Sequence, residues 1–291
     1  MKPPRSIVFF TTSAGAGYGM LALMPWFAGT AHSITAGLAA LALVSLGLLS
    51  SAVHLTNPKN AWRAVRCFRT SWLSREAVFA LAVYPPALVV LAGHLGWLHA
   101  APVFAWLTAL LSLITLYCTG MIYQSLRTIP SWHTPFTALR FVFQGLATGA
   151  LILWWLWPDA RAALAVASIT LLSIALIFAM AAITHHAQQT KITLSQALGI
   201  DQRPAHLLNA GHSGSTFLTH EFGFEITPNR MRVLRFAEFA LAYALPVFLV
   251  TVATPRPLTP SIALLGTLIG RWLFFAQAQH VVRLYHGQTL E

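Results

Sequence analysis

Two charged residues lie inside long apolar runs of this chain: Arg271 in GTLIGRWLFFAQAQHVVRLYHG and Glu238 in RVLRFAEFALAY. At the centre of a membrane helix a charge costs about 2.5–3.5 kcal/mol on insertion scales, so each demands a reason. The plain reason is that the two neutralise each other or bond exposed carbonyls. Other polar residues, however, fall at a similar depth and in the same half of the chain's apolar runs: His54, Glu76, Tyr123, Gln124, Gln144, His185, His186, Gln277 and His280. The opposite half holds far fewer. Donors, acceptors and aromatics gathered in one leaflet suit a quinone headgroup, whose two carbonyls need hydrogen-bond partners and whose protons need a titratable relay to water. An ion pathway would place charge through the full thickness.

Spacing limits which of these residues work together. Arg271 and His280 are nine positions apart, about half a turn around one continuous helix, so they do not share a pocket, whereas Gln277 and His280 share a face. His54, which closes a neighbouring run, is the natural histidine for a site built on Arg271. Histidines at the ends of three runs, His54, His185 and His280, could alternatively supply two axial ligands to a b-type haem. Hydrogen-bonded boundary histidines are the simpler reading. The adjacent pair His185–His186 points about 100° apart on a helix, which is wrong for zinc. Cys67 and Cys118 form no CxxC spacing, so an iron–sulfur cluster must sit on a partner. GAGYG lacks the preceding strand of a phosphate loop, and GHSGST lacks the strand–turn–helix context of a serine nucleophile.

The elements that position these groups follow from composition. With 57% hydrophobic and 9% charged residues in 291, and a mean hydropathy of +0.66, the chain is far below the roughly 25% charge of soluble proteins. It reads as an all-α integral membrane protein, a single transmembrane domain over residues 1–291. Apolar runs near membrane length predict eight helices at about 6–28, 33–54, 76–95, 101–125, 136–157, 160–185, 231–254 and 259–283. The first is too long for a cleaved signal core and is rich in small residues, which admit a close neighbour. Fifteen of the 18 lysines and arginines, Arg140 among them, fall on one side, against Arg161 and Arg256 opposite and Arg271 within a span. The positive-inside rule then puts both termini in the cytoplasm. A net charge of +11 is this topology signal plus attraction to anionic lipid, and no argument for nucleic acid. Residues 186–230 form a cytoplasmic loop too long for a mere connection, suited to covering a site or docking a partner. A secondary transporter would show an inverted repeat with matching helix breaks; only Tyr84-Pro85-Pro86 and Pro246 interrupt the runs.

One loop concentrates charge: HLTNPKNAWRAVRCFRTSWLSREAVF, residues 54–79. Its ends bring His54 and Glu76 to one membrane face. Arg75 adjoins Glu76, while Arg63, Arg66 and Arg69 with Trp62 and Trp72 suit docking of a partner or lipid headgroups. This segment, with SIVFFTTSAGAGYGML (6–21), MIYQSLRTIPSWHTPFTALRF (121–141) and GTLIGRWLFFAQAQHVVRLY (266–285), resembles the membrane anchor subunits of the dimethyl sulfoxide reductase type, over nearly the full length. That family also serves membrane-bound sulfite dehydrogenases, and the wording FFTTSAGAGYG and SWHTP is closer to that branch. The resemblance implies a bacterial inner-membrane heterotrimer. A molybdopterin catalytic subunit passes electrons through a four-cluster ferredoxin-like iron–sulfur subunit to or from the anchor, which exchanges them with ubiquinone or menaquinone. It also implies that His54, in the HLxxP segment, and Glu76, in SxLSxE, bind quinol or move its protons, and that the anchor carries no haem. The sulfite branch reduces quinone from the cytoplasm; the reductase branch oxidises quinol. A purely structural anchor is the remaining alternative.

Overall fold

A computed structural model describes residues 1–27, 32–53, 58–157, 160–188, 193–200, 205, 224–252 and 257–286. Among them the regular structure is helical, with no strand. Eight helices are long and apolar enough to cross a membrane: Arg5–Trp26, His32–Ala52, Trp72–His94, Pro102–Gln124, Thr137–Leu156, Arg161–His186, Pro228–Val252 and Leu258–Tyr285. They are numbered below as spans one to eight. An all-helical bundle is what hydrocarbon demands, because each helix satisfies its own backbone polar groups. Most of the long 186–230 loop lies outside the described residues.

Three local departures from the apolar pattern shape the site. Span three starts at Trp72 rather than near residue 76, because the Ser71 hydroxyl caps it, accepting from the Ser74 N–H at 3.4 Å. Glu76 therefore sits a full turn inside the helix. Farther on the helix breaks at Val83, since Pro85 and Pro86 have no N–H to return to the preceding turn. In span seven a π turn, Ala240–Ala244, separates the helices Pro228–Phe239 and Leu245–Val252. Pro246 explains it: the ring crowds the carbonyl of Ala242 and offers that carbonyl no donor, so the helix widens just before it.

The end of span eight corrects one expectation. Its α-helix stops at Ala276, and a 3-10 turn follows at Val281–His286. The half-turn relation between Arg271 and His280 therefore does not hold, nor does a shared helical face for Gln277 and His280.

Span one is the most buried of the eight and packs against spans two, four, five and eight. Its small residues make this possible. The Ser13 hydroxyl donates to the Leu43 carbonyl of span two at 2.7 Å. A Cβ on Gly19 would land on the Gly145 carbonyl of span five, and one on Gly149 would land on the Gly19–Met20 peptide. Gly266 and Gly270 do the same for span eight: a Cβ there would strike the backbone at Ala242 or the Glu238 carboxylate.

That second approach brings Glu238 to Arg140, whose Nη2 donates to Glu238 Oε1 at 2.6 Å, with side chains 12% and 13% exposed. The expected neutralisation of Glu238 by Arg271 is thus replaced by another pairing. Arg140 lies within span five, so it is a bundle residue rather than one of the loop charges that orient the chain.

Substitutions at these crossings test the packing. Gly19→Ala should destabilise the detergent-solubilised protein by about 1–3 kcal/mol, the usual cost of overpacking, read as a lower midpoint of thermal unfolding. Gly15→Ala, where a Cβ meets nothing within 4 Å, should leave that midpoint unchanged or raise it. Arg140→Met should cost about 3 kcal/mol by stranding a carboxylate, and Arg140→Met with Glu238→Met should recover part of that loss in a double-mutant cycle.

Candidate functional site

Glu76 is 5% exposed. Spans three and four pack directly, and the contact puts Thr119 against its carboxyl group, hydroxyl to Oε1. The same hydroxyl lies 3.0 Å from the Thr115 carbonyl. A threonine hydroxyl has one hydrogen and two acceptors compete for it. When it points to Thr115, a hydrogen bond to Glu76 requires the carboxyl group to be the donor; when it points to Glu76, a carboxylate accepts. The pair can hold or release one proton with no movement of heavy atoms.

Arg271 is 4% exposed and comes from the far part of span eight. Its guanidinium lies 3.5 Å from the centroid of the Phe141 ring, a cation–π contact that supplies part of what water would give. Phe141 is held in turn. Tyr123 stacks on it at 5.4 Å, and Phe274 meets its edge at 5.5 Å. Trp132 stacks on Phe274 and donates from Nε1 to the Phe274 carbonyl at 2.9 Å. The connection between spans four and five is folded back to build this cluster. His133 Nδ1 donates to the Gln124 carbonyl at 2.6 Å, and Gln124 Oε1 accepts from the Ala138 N–H at 3.0 Å. The SWHTP segment is therefore scaffold for the platform under Arg271.

Arg271 and Thr119 border one cavity, with Phe10, Thr11, Tyr18 and Phe141. Arg271 Nε is buried without a hydrogen-bond partner among the described residues. The structure thus brings Glu76, through Thr119, and Arg271 to the same space between spans one, four, five and eight.

The other residues singled out in the sequence are placed differently. Arg75 turns away from Glu76: Nε and Nη2 donate to the carbonyls of Phe68 and Arg69 at 3.0 and 2.7 Å, and its guanidinium covers Trp72 at 4.3 Å. It braces the basic loop. Arg63, Arg66 and Arg69 are exposed, the first two beside the exposed Trp62 ring at 5.7 and 5.5 Å. Trp72 is half-buried against Tyr117. His54 lies outside the described residues. Among the histidines considered for haem, His185 meets the edge of Phe136 at 6.0 Å, and His280 Nδ1 accepts from the Val282 N–H at 3.0 Å. Among the described residues no group of three or more His, Cys, Asp or Glu is placed to hold a metal ion.

Nothing in the sequence singles out Thr119, Tyr18 or Phe141, and Arg140 enters there only in the count of lysines and arginines on one side. A lone acid such as Glu238 implies a cation at its own depth, and that signal pointed as well to Arg140 as to Arg271. At the opposite end of the bundle is a roomier cavity of about 420 Å³, bordered by Pro25, Val90, His94, His99 and Trp106. It has no carboxylate or guanidinium in its lining.

Residues 1–276 match the model of the DMSO reductase anchor subunit (DmsC). The chain is also 31% identical, over 324 aligned positions, to a sulfite dehydrogenase subunit of Allochromatium vinosum, an alignment covering 98% of this chain and 99% of that protein. With eight helices of membrane-spanning character, a full-length family match and a buried polar site at one end of the bundle, the chain belongs to the DMSO reductase anchor subunit family and is the multi-pass membrane anchor of a complex of that type.

Proposed function

We propose that this anchor exchanges electrons between an iron–sulfur partner subunit and the quinone pool, and that the quinone headgroup binds beside Glu76 where the cavity between Thr119 and Arg271, about 10 Å³ in this structure, opens to admit it. The observation that carries the reading is that Arg271, a buried guanidinium, and Thr119, the hydrogen-bond partner of the buried Glu76 carboxyl group, line one cavity. The Arg271 guanidinium is a fixed donor for a quinone carbonyl oxygen. Glu76 and Thr119 are a proton store within reach of it. Tyr18 and Phe141 supply flat apolar walls. His54 is the second proton-relay group in this reading. The match to a sulfite dehydrogenase subunit favours quinone reduction over quinol oxidation.

The chemistry then balances simply. Sulfite and water give sulfate, two electrons and two protons on a molybdopterin partner in the cytoplasm. The electrons pass through a four-cluster ferredoxin-like subunit, and quinone takes up two electrons and two protons to become quinol. This chain supplies the place, the hydrogen bonds and the protons. Its own cysteines, Cys67 exposed and Cys118 buried, leave metal centres to the partners. Arg63, Arg66 and Arg69, exposed just before span three, are the floor on which the iron–sulfur subunit sits, on the same bundle end as Glu76. By the distribution of lysine and arginine that end faces the cytoplasm of a bacterial inner membrane.

In the assembled complex, Glu76→Gln should lower quinone-coupled turnover by about 10²-fold or more, the scale of a lost acid–base group, while turnover with a soluble artificial acceptor stays at the parent level. Unchanged quinone turnover and quinone-analogue binding in both Glu76→Gln and His54→Ala would refute the site. For the docking floor, Arg63, Arg66 and Arg69 all replaced by Glu should abolish co-purification of the iron–sulfur subunit. The anchor's own stability should change by no more than about 0.5 kcal/mol per exposed position, and retained co-purification would place the contact elsewhere.

A further inference from the structure

The Arg140–Glu238 pair borders a second cavity, between spans five, seven and eight, with Gln144, Tyr243, Thr267 and Arg271. Two side-chain atoms here, Gln144 Oε1 and Arg271 Nε, are buried without a hydrogen-bond partner among the described residues; both residues are 4% exposed. The amide is fixed in direction. Gln144 Nε2 donates to Thr267 Oγ1 at 3.0 Å, and that hydroxyl's hydrogen goes to the Ala263 carbonyl at 2.8 Å. The remaining oxygen is therefore a set acceptor, and Arg271 Nε a set donor. A buried donor and a buried acceptor at one polar cavity are the pattern that ordered water satisfies.

Arg271 borders this cavity and the one beside Thr119, so the two meet at a single guanidinium. At the outer end Arg140 and Glu238 keep some surface, on the part of span seven that begins with the exposed Arg230, Arg232 and Arg235. Glu76 has almost none. We propose that, once quinol has left the cavity beside Thr119, the two cavities form one hydrated path that carries protons from the Glu238 end to Glu76, with Gln144 and Thr267 orienting its water and Arg271 at the junction. The proposal rests on the reading of Glu76 as the group that protonates quinone. Each step is a proton passed along hydrogen bonds: the Glu238 carboxylate takes one from water outside the bundle and gives it to water within, each water takes one and gives one, the Glu76 carboxylate receives one, and no atom changes oxidation state. The charges on this path are Arg140 and Glu238, which offset each other, and Arg271, which repels a free proton while Glu76 is protonated. Once Glu76 has lost its proton its negative charge offsets the guanidinium, so the path admits a proton when one is needed.

The test uses Gln144→Met and Thr267→Val, both close to isosteric, in the assembled complex. The expected result is quinone-coupled turnover lowered about tenfold and a larger solvent isotope effect, with affinity for a quinone analogue within twofold of the parent. Unchanged turnover and isotope effect would overturn the path. So would analogue affinity falling in parallel with turnover, because Gln144 would then belong to the quinone pocket. A second readout does not depend on quinone: the infrared carboxyl band that disappears in Glu76→Gln should shift more slowly after transfer to D2O in Gln144→Met than in the parent, and an equal rate would overturn the path. If the parent complex bound no quinone analogue, the quinone reading would fail while this exchange rate still judged the path.

Discussion

A guanidinium in the interior of a helix bundle sets the terms for the rest of this structure. Arg271 is almost fully buried, and the carboxylate at its own depth, Glu238, is taken by Arg140. What holds Arg271 is a ring face, and that ring is fixed by an aromatic cluster assembled from three separate stretches of chain. A cation left this way is costly in an empty site, since desolvation outweighs what one ring returns. The same cation is well suited to an incoming carbonyl oxygen, because the donor is already in place and need not be reoriented.

The close approaches elsewhere serve that arrangement. Span one, stripped of side-chain bulk at Gly17 and Gly19, lets spans two and five close around it and so brings Thr11 and Tyr18 to the cavity wall. Gly266 and Gly270 admit span seven, and the π turn enforced by Pro246 places Tyr243 and Glu238 on the opposite side of Arg271. The Thr119–Glu76 contact then couples the cavity to a carboxyl group that can switch between donor and acceptor through one hydroxyl rotation. Charge, aromatic platform and buried carboxyl group thus come from different helices and depend on small residues at their crossings.

Much of this was legible in the sequence. Composition and eight apolar runs fix the class and the helices, the rarity of charge in those runs identifies Arg271 and Glu238 as residues needing an explanation, and Glu76 stands out at the end of the basic loop. Partnership was harder to read. Hydropathy reports depth but not azimuth, so it could not show that Glu238 pairs with Arg140 rather than with the expected Arg271. The helical phase that separates Arg271 from His280 assumes a helix that in fact ends at Ala276. Arg75 sits next to Glu76 in sequence, yet its donors close the loop behind it. Thr119 is one of many threonines in apolar runs, most of which bond only their own helix; nothing local separates it from Thr108 or Thr115.

Photoaffinity labelling of the purified complex with an azido-quinone, followed by peptide mapping, distinguishes quinone bound at the Glu76–Arg271 end of the bundle from quinone bound elsewhere. Label should fall on peptides containing Thr11–Tyr18, Thr119, Phe141 or Arg271, and an excess of unlabelled quinone should compete it away. Competable label confined to Pro25, Val90–Trp106 and their neighbours, around the roomier cavity at the other end, would contradict the account.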